Sequence, residues 1–448
     1  MVAEDLFIVA IELGSSNVTG IAGKKMPDGT ISVEALVQEP SSAFIRRGMI
    51  LNLTKSSQCV ASIIERLTER LKRPIKQVYV GYGGQSVRSK FNTVSKPLSG
   101  EKITKEDVDS LLNENFNMNL GNCVILDEVP QEYMTGKDKT IDPVGFIAER
   151  VEARYLNIIA RNSLKSNIET CFSDAHISVA GYMLTPLCEA NLVLTEADKR
   201  SGCVFVDFGA ETTSVAIYRD NILRYVSVIP LGSANITSDI ESLQLDKTDA
   251  EHLKINQSSA DNSEMTVEQG KEVICALPDN SNLDKATLGN IVEARMKEIL
   301  ANVSQQIKDS GFDKNSLLSG AILTGGGSNL KGLLSAFAKT VGITQVKLVK
   351  SLPNVNFSKV ASLKVREDRL VDAVSLIAEG TQPCCGPKVE DGTNMFTTST
   401  PMDNANNEST PEGKDEGKHE AENSEGPSKK SKFLEKFKKL AKSFVEDE

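Results

Sequence analysis

From Leu6 to about Gly380, apolar runs of strand length alternate with stretches whose apolar residues recur at helical spacing. That alternation predicts an α/β fold. "LFIVAIELGSS" and "GCVFVDFGAETTSVAIY" read as strands, each breaking at an acid followed two positions later by glycine. "SSQCVASIIERLTERL" (56–71) and "IVEARMKEILANVSQQI" (291–307) carry the stripe of amphipathic helices, the first ending before Pro74. After Gly380 the pattern stops. Residues 381–428 hold ten acids against three lysines, with Asn, Ser, Thr, Gly and Pro in place of bulky apolar side chains. Such a segment cannot bury enough surface to offset its ordering entropy, which predicts a disordered linker. As a flexible coil its 48 residues would span roughly 40 Å root-mean-square.

Periodicity returns at the end, in "SKKSKFLEKFKKLAKSFVEDE". Phe433, Leu434, Phe437, Leu440, Ala441, Phe444 and Val445 fall on one helical stripe. Seven lysines, Lys436, Lys438 and Lys439 among them, lie between residues 429 and 442, opposed only by Glu435. A helix of about fifteen residues is marginal alone in water and needs a surface to fold against. Phenylalanines on one face and lysines on the other suit an anionic membrane interface. Each lysine there contributes on the order of 1 kcal/mol. A partner groove is the second reading.

Composition removes several alternatives. A net charge of -10 and an isoelectric point near 5.2 argue against a general nucleic-acid binder. The eight cysteines form no CxxC pair, and Cys384 and Cys385 stand outside any apparent core, so free thiols in a reducing compartment are expected. The three histidines, His176, His252 and His419, show no metal spacing. "LFIVAI" is too short for a signal peptide or a membrane span, and a cytosolic body is expected.

The strongest chemical signal is a pseudo-repeat. Glu12 precedes Gly14, Ser15, Ser16 and Asn17; Asp207, 195 residues on, precedes Gly209, Thr212 and Thr213. Tight glycine turns expose N–H groups and hydroxyls that can hold phosphate oxygens. The adjacent acids, Glu12 and Asp207, can hold Mg²⁺, usually through water. A third element, "GAILTGGGSNLKGLLSAF", reads as a strand, then Gly325, Gly326, Gly327 and Ser328, then a helix whose N-terminus favours an anion. No Walker A or GxGxxG pattern competes.

This trio resembles the actin/Hsp70/sugar-kinase ATPase superfamily. "VPQEY", "DPVGF", "DAEHLK", "IVEARMKEIL" and "AILTGGGSNLKGL" are similar, in order and spacing, to motifs of the FtsA family of bacterial cell-division proteins. The resemblance implies an actin-like two-lobed ATPase fold with an FtsA-type inserted subdomain, then a disordered linker and a C-terminal amphipathic helix. Residues 1–84 and 162–200 would form the first phosphate-loop subdomain, and 85–161 the insertion, of SHS2 type. Residues 201–245 and 312–380 would form the second-lobe core, 246–311 a smaller subdomain, 381–428 the linker and 429–448 a membrane-targeting helix. It further implies ATP and Mg²⁺ as ligands, with Glu251 and Lys254 flanking the adenosine and Gly325 to Ser328 packing on it. Arg295 and Glu298 would contact the C-terminal tail of the tubulin-like protein FtsZ. Other divisome proteins, self-association into filaments and a place on the cytoplasmic side of the inner membrane at the division site follow from the same resemblance.

Two departures bear on the chemistry. The second loop reads "DFGAET", so Ala210 stiffens it and Glu211 adds a carboxylate that repels ATP, helps hold Mg²⁺ or points outward. Ser163 stands where active relatives place a water-orienting acid or amide, and serine is no general base. ATP binding with slow or absent hydrolysis is therefore expected. A sugar-kinase-like phosphotransferase, a chaperone-type ATPase and a pilus-assembly relative are the rival readings.

Overall fold

Two large sheets organise the chain in a computed structural model that describes residues 6–278, 281–363 and 366–386. The first runs Val179–Leu184, Val78–Tyr82, Phe7–Leu13, Asn17–Lys25, Ile31–Pro40, Val355–Asn356. The second opens with Val346–Leu348, Ala321–Thr324, Cys203–Phe208, Thr213–Arg219 and Ile222–Ile229. These orders match. In each sheet one central strand turns back antiparallel on the next and runs parallel to a later strand on its other side. The register matches too: Glu12 lies opposite Thr19 and Gly81, and Asp207 opposite Ser214 and Thr324. The acid–glycine repeat in the sequence is thus a local trace of two equivalent lobes.

The central strands are apolar except for Glu12 and Asp207 because both of their faces are covered. All of Phe7–Leu13 is buried. In Cys203–Phe208 the side chains alternate between two cores. Cys203 and Phe205 join the core shared with the first lobe, while Val204, Val206 and Phe208 pack with residues of the helices Lys285–Asp309 and Leu333–Val341. Each such burial is worth about 1.5–3 kcal/mol. Helix Leu53–Leu71 starts where the Asn52 side chain accepts the Lys55 N–H, and buries Val60, Ile63 and Leu67 in the first-lobe core.

Two helices meet between the lobes. Thr185–Val193, begun by Pro186 in its first turn, packs against the strand Thr213–Arg219 of the second lobe. Val371–Glu379 packs against Phe7–Leu13 and Asn17–Lys25 of the first lobe, and against Thr185–Val193 itself. The two helices bring Thr185, Glu189 and Asp372 to one cleft.

Between Tyr82 and Arg161 the chain builds the strands Arg88–Lys102, Cys123–Thr135, Asp138–Thr140 and Ile147–Arg161, with helix Lys105–Phe116. These strands continue the second-lobe sheet through the single pair Ser227–Arg88. Buried Gln131 secures the join: its amide donates to the Leu223 carbonyl at 3.0 Å and accepts from Arg224 at 3.2 Å. Helix Asn162–Asp174 then returns to the first lobe.

Two expectations are corrected. Residues 312–380 do not all belong to the second lobe. Val355–Asn356 extends the first sheet beside Ile31 and Ser32, and Val371–Glu379 buries Ala373, Val374, Leu376 and Ile377 in the first-lobe core. Six of that helix's nine residues are apolar, and Gly81 and Gly23 leave the space that Leu376 and Ile377 fill. The linker also starts later than Thr381. Cys384 is fully buried, its N–H donates to the Phe7 carbonyl at 2.8 Å, and the Tyr79 hydroxyl accepts from the N–H groups of Thr381 and Gln382. Cys384 is therefore a core residue, and all eight cysteines are free. Residues 387–428 of the expected linker and the 429–448 helix, with Phe433, Leu434, Phe437, Leu440, Phe444, Lys436, Lys438 and Lys439, lie outside the described residues. Among those described, no helix is long and apolar enough to cross a membrane.

Candidate functional site

The two acid–glycine hairpins face each other across a cleft of about 960 Å³, a size suited to a nucleotide-sized ligand. The first hairpin presents Glu12, Gly14, Ser15, Ser16 and Asn17 to it, and the second Asp207, Gly209 and Thr212. Gly325, Gly326 and Gly327 close one side, and Glu251 and Lys254 come from the helix Lys247–Gln257. The tightness is built in. A Cβ on Gly14 would stand 2.7 Å from the Asn17 carbonyl oxygen, so only glycine allows this turn beside Glu12. Ser41 donates to the Gly14 carbonyl at 2.6 Å, and Ser15 Oγ accepts the Gly48 N–H at 2.8 Å.

Three expected site residues fall elsewhere. Thr213 is fully buried and donates to the Leu231 carbonyl at 2.8 Å. Strand alternation turns its neighbours Thr212 and Ser214 to the cleft instead. Ser328 caps its own loop, donating to the Gly325 carbonyl at 2.7 Å. Ser163 is exposed on helix Asn162–Asp174 and does not line the cleft. The glycine run also leads first into a short turn, Gly326–Asn329, and the α-helix begins only at Leu333.

What the sequence did not single out is the rest of the acid cluster. Glu189 and Asp372 line the cleft with Glu12 and Asp207. Burial, reinforced by neighbouring acids, raises the carboxyls of Glu12 and Glu189 well above the usual range. Burial and Asp372 push Asp207 up to about 7, against a Ser214 hydroxyl that favours its charge. Burial lifts Asp372 to about 6. Among the described residues no three potential ligands are close enough to bind a metal directly. The cluster instead suits a cation that keeps its water shell, as Mg²⁺ does. The Thr185 hydroxyl and one Glu189 oxygen are buried here without a hydrogen-bond partner, which fits a ligand that brings its own donors.

Elsewhere in the cleft, Lys254 is buried and donates to Glu251 at 2.6 Å, to Thr237 Oγ1 at 2.9 Å and to the Ser233 carbonyl at 3.2 Å. Thr237 in turn donates to Glu251 at 2.6 Å. Burial opposes the Glu251 charge, but Lys254 and Thr237 outweigh it and hold the carboxyl below its ordinary value. Burial also lowers Lys254.

Glu211 does none of the three things its position allowed. Its Oε1 pairs with Arg46 Nε at 3.0 Å, and its Oε2 accepts the Arg47 N–H at 2.7 Å. The carboxylate therefore reaches across to the 45–50 loop of the first lobe, the same loop whose Gly48 binds Ser15. Away from the cleft, Arg295 on helix Lys285–Asp309 grips Asp239 with two bonds of 2.6 and 2.7 Å and also pairs with Glu298. Hydrogen bonds to Asp239 hold its guanidinium above the ordinary value.

Two matched lobes, each offering an acid–glycine hairpin to one cleft, define an actin-like α/β fold. A chain titled "PilM-PilN type IV pilus biogenesis complex" shares this fold, with a TM-score of 0.59 at 16% identity over 82% of this chain and 97% of that one. The family model "Cell division protein FtsA" matches residues 204–368, and "SHS2 domain inserted in FTSA" matches 84–159. The cell division protein FtsA of Porphyromonas gingivalis is 30% identical over 392 residues, covering 84% of this chain and 78% of that protein. That of Escherichia coli K12 is 28% identical over 353 residues, covering 76% and 83%. The chain belongs to the FtsA family of cell-division proteins.

Proposed function

We propose that this chain is an ATP-binding scaffold of cell division, tethering FtsZ filaments to the cytoplasmic face of the inner membrane and polymerising there. The observation that carries the nucleotide part is the pair of facing hairpins, whose turns can hold a polyphosphate while Glu12 and Asp207 face a hydrated Mg²⁺. Glu251 and Lys254 would flank the adenosine, with the 325–327 glycines against it. The outer face of helix Lys285–Asp309, with Arg295 and Glu298, would receive the FtsZ tail, and the lysine-rich 429–448 segment would supply the membrane contact. Later divisome proteins would be recruited to the assembled polymer. Ser163 lies outside the cleft, so its identity bears neither way on hydrolysis.

Liposome co-sedimentation tests the tether. Full-length protein should pellet with vesicles containing anionic lipid, carry an FtsZ tail peptide with it, and pellet further with ATP as avidity grows. A 1–428 truncation should stay in the supernatant. Equal pelleting of the two would refute the membrane assignment.

The Glu211 contact adds a kinetic prediction. Removing a largely exposed ion-pair partner costs only about 0.2–1 kcal/mol, so Arg46→Ala should leave release of a fluorescent ADP analogue within about twofold of wild type. Glu211→Ala also removes the hydrogen bond from the exposed Arg47 N–H, worth about 0.5–1.5 kcal/mol. It should therefore open the cleft more readily and speed release about tenfold. Stopped-flow release that is unchanged in Glu211→Ala would show that the contact does not hold the lobes together.

A further inference from the structure

We propose that Glu189 is a third acid of the cation site, which with the Thr185 hydroxyl holds a hydrated divalent cation between Glu12 and Asp207 before any nucleotide enters. The inference rests on the nucleotide-site reading only for where the cation sits. Glu189 is 2% exposed and Thr185 6% exposed. They stand four residues apart on helix Thr185–Val193, hence on one face, and both line the cleft. Glu189 Oε2 and Thr185 Oγ1 have no hydrogen-bond partner.

The other acids differ in this respect. Glu12 has a backbone donor in Gly14, Asp207 has the Ser214 hydroxyl, and Asp372 Oδ1 accepts the Ala373 N–H at 2.7 Å. The charges acting on Glu189 are Asp207, Asp372 and Glu12, acids without exception. A buried carboxylate oxygen facing only acids lacks two things, a positive charge and a donor. A cation that keeps its waters supplies both at once: the ion answers the clustered charge, and its waters donate to Glu189 while Thr185 accepts or donates as the shell requires. Among the described residues no three acids can ligate an ion directly, so a cation here would be held through its water shell.

Mn²⁺ binding to metal-stripped, full-length protein without nucleotide, followed by electron paramagnetic resonance, tests this. Wild type should bind one ion tightly, and Glu189→Gln at least about tenfold more weakly. Thr185→Val, which keeps all four acids, should weaken binding by about threefold or more. Because Glu189→Gln puts a neutral amide of the same shape among the other acids, it should melt no lower than wild type in EDTA. If that variant fails to fold, Thr185→Val still decides. No Mn²⁺ bound by wild type, or equal affinity in wild type and both variants, would overturn the proposal. Binding of a fluorescent ATP analogue in EDTA is measured in parallel. If that analogue also fails to bind when Mg²⁺ is supplied, while Mn²⁺ binds normally, the nucleotide reading is refuted and the Glu189 assignment stands.

Discussion

Raised from about pH 5 to about pH 8 in EDTA, the protein should lose thermal stability, and Mg²⁺ should restore more of it at the higher pH. The sign follows from the cleft acids. Burial raises Asp207 from 3.8 to about 7 and Asp372 from 3.8 to about 6, with Glu12 and Glu189 raised well above their ordinary values. A carboxyl raised on folding binds its proton more tightly in the native state. Its contribution is greatest below the unfolded value near 4 and is lost as pH climbs through the folded value. Across this window the loss is on the order of 2–3 kcal/mol for Asp207 and 1–2 kcal/mol for Asp372, or roughly 5 °C in melting temperature for a body of this size. Carboxyls held low in the folded protein, such as Asp198 and Glu293, act in the opposite sense, and only below the chosen window. A cation among ionised acids replaces the missing protons, so its stabilisation should grow with pH. A melting temperature that is flat or rising across this range in EDTA would mean that the acids are not forced together in the metal-free cleft.

The legible and illegible parts of this site divide along a physical line. Glu12–Gly14 and Asp207–Gly209 could be read because the turn chemistry is local: the acid, the glycine and the hydroxyls lie within a few residues on one hairpin. The equivalence of the two lobes follows from that repeat together with the parallel partners Val78–Tyr82 and Ala321–Thr324, whose identity no short window reveals. Glu189 and Asp372 gave no signal. Each sits in a short, mostly buried helix, Asp372 in the first turn and Glu189 at its middle, where a single acid reads as an ordinary first-turn or surface residue. They become site residues only because the two helices meet between the lobes. Strand parity decided Thr213, since a shift of one position sends a side chain to the opposite face. Glu211 was underdetermined for a third reason: its partners, Arg46 and Arg47, lie more than 160 residues away. Cys384 shows the same limit at the chain's far end. Its surroundings in sequence are polar, and its core is supplied by the strand Phe7–Leu13.

Gly325→Ala should abolish nucleotide binding while leaving the protein folded. Gly325 has φ +87°, and a Cβ there would stand 2.2 Å from Asp207 Oδ1 and 2.6 Å from the Phe208 carbonyl oxygen. The left-handed backbone alone costs an alanine about 1–2 kcal/mol. The overlap is the larger effect, because Asp207 is fixed by its strand and cannot yield without leaving the Ser214 hydroxyl. The loop must swing into the cleft or the acid must rotate out of it, and either movement disrupts the space between the hairpins. An affinity loss of at least about a hundredfold for a fluorescent ATP analogue is expected, equivalent to about 3 kcal/mol. Gly326 is the internal control. It also lines the cleft, but a Cβ there meets nothing within 4 Å and its φ is not in the left-handed region. Gly326→Ala should therefore melt like wild type, with Gly325→Ala lower by about 1–3 kcal/mol and its far-ultraviolet circular dichroism unchanged. If Gly325→Ala melts like Gly326→Ala and binds nucleotide normally, the close approach of this turn to Asp207 is not what shapes the site. If it instead loses nucleotide with its fold intact, the third glycine element controls the second hairpin by contact with its acid, and the three motifs act as one unit.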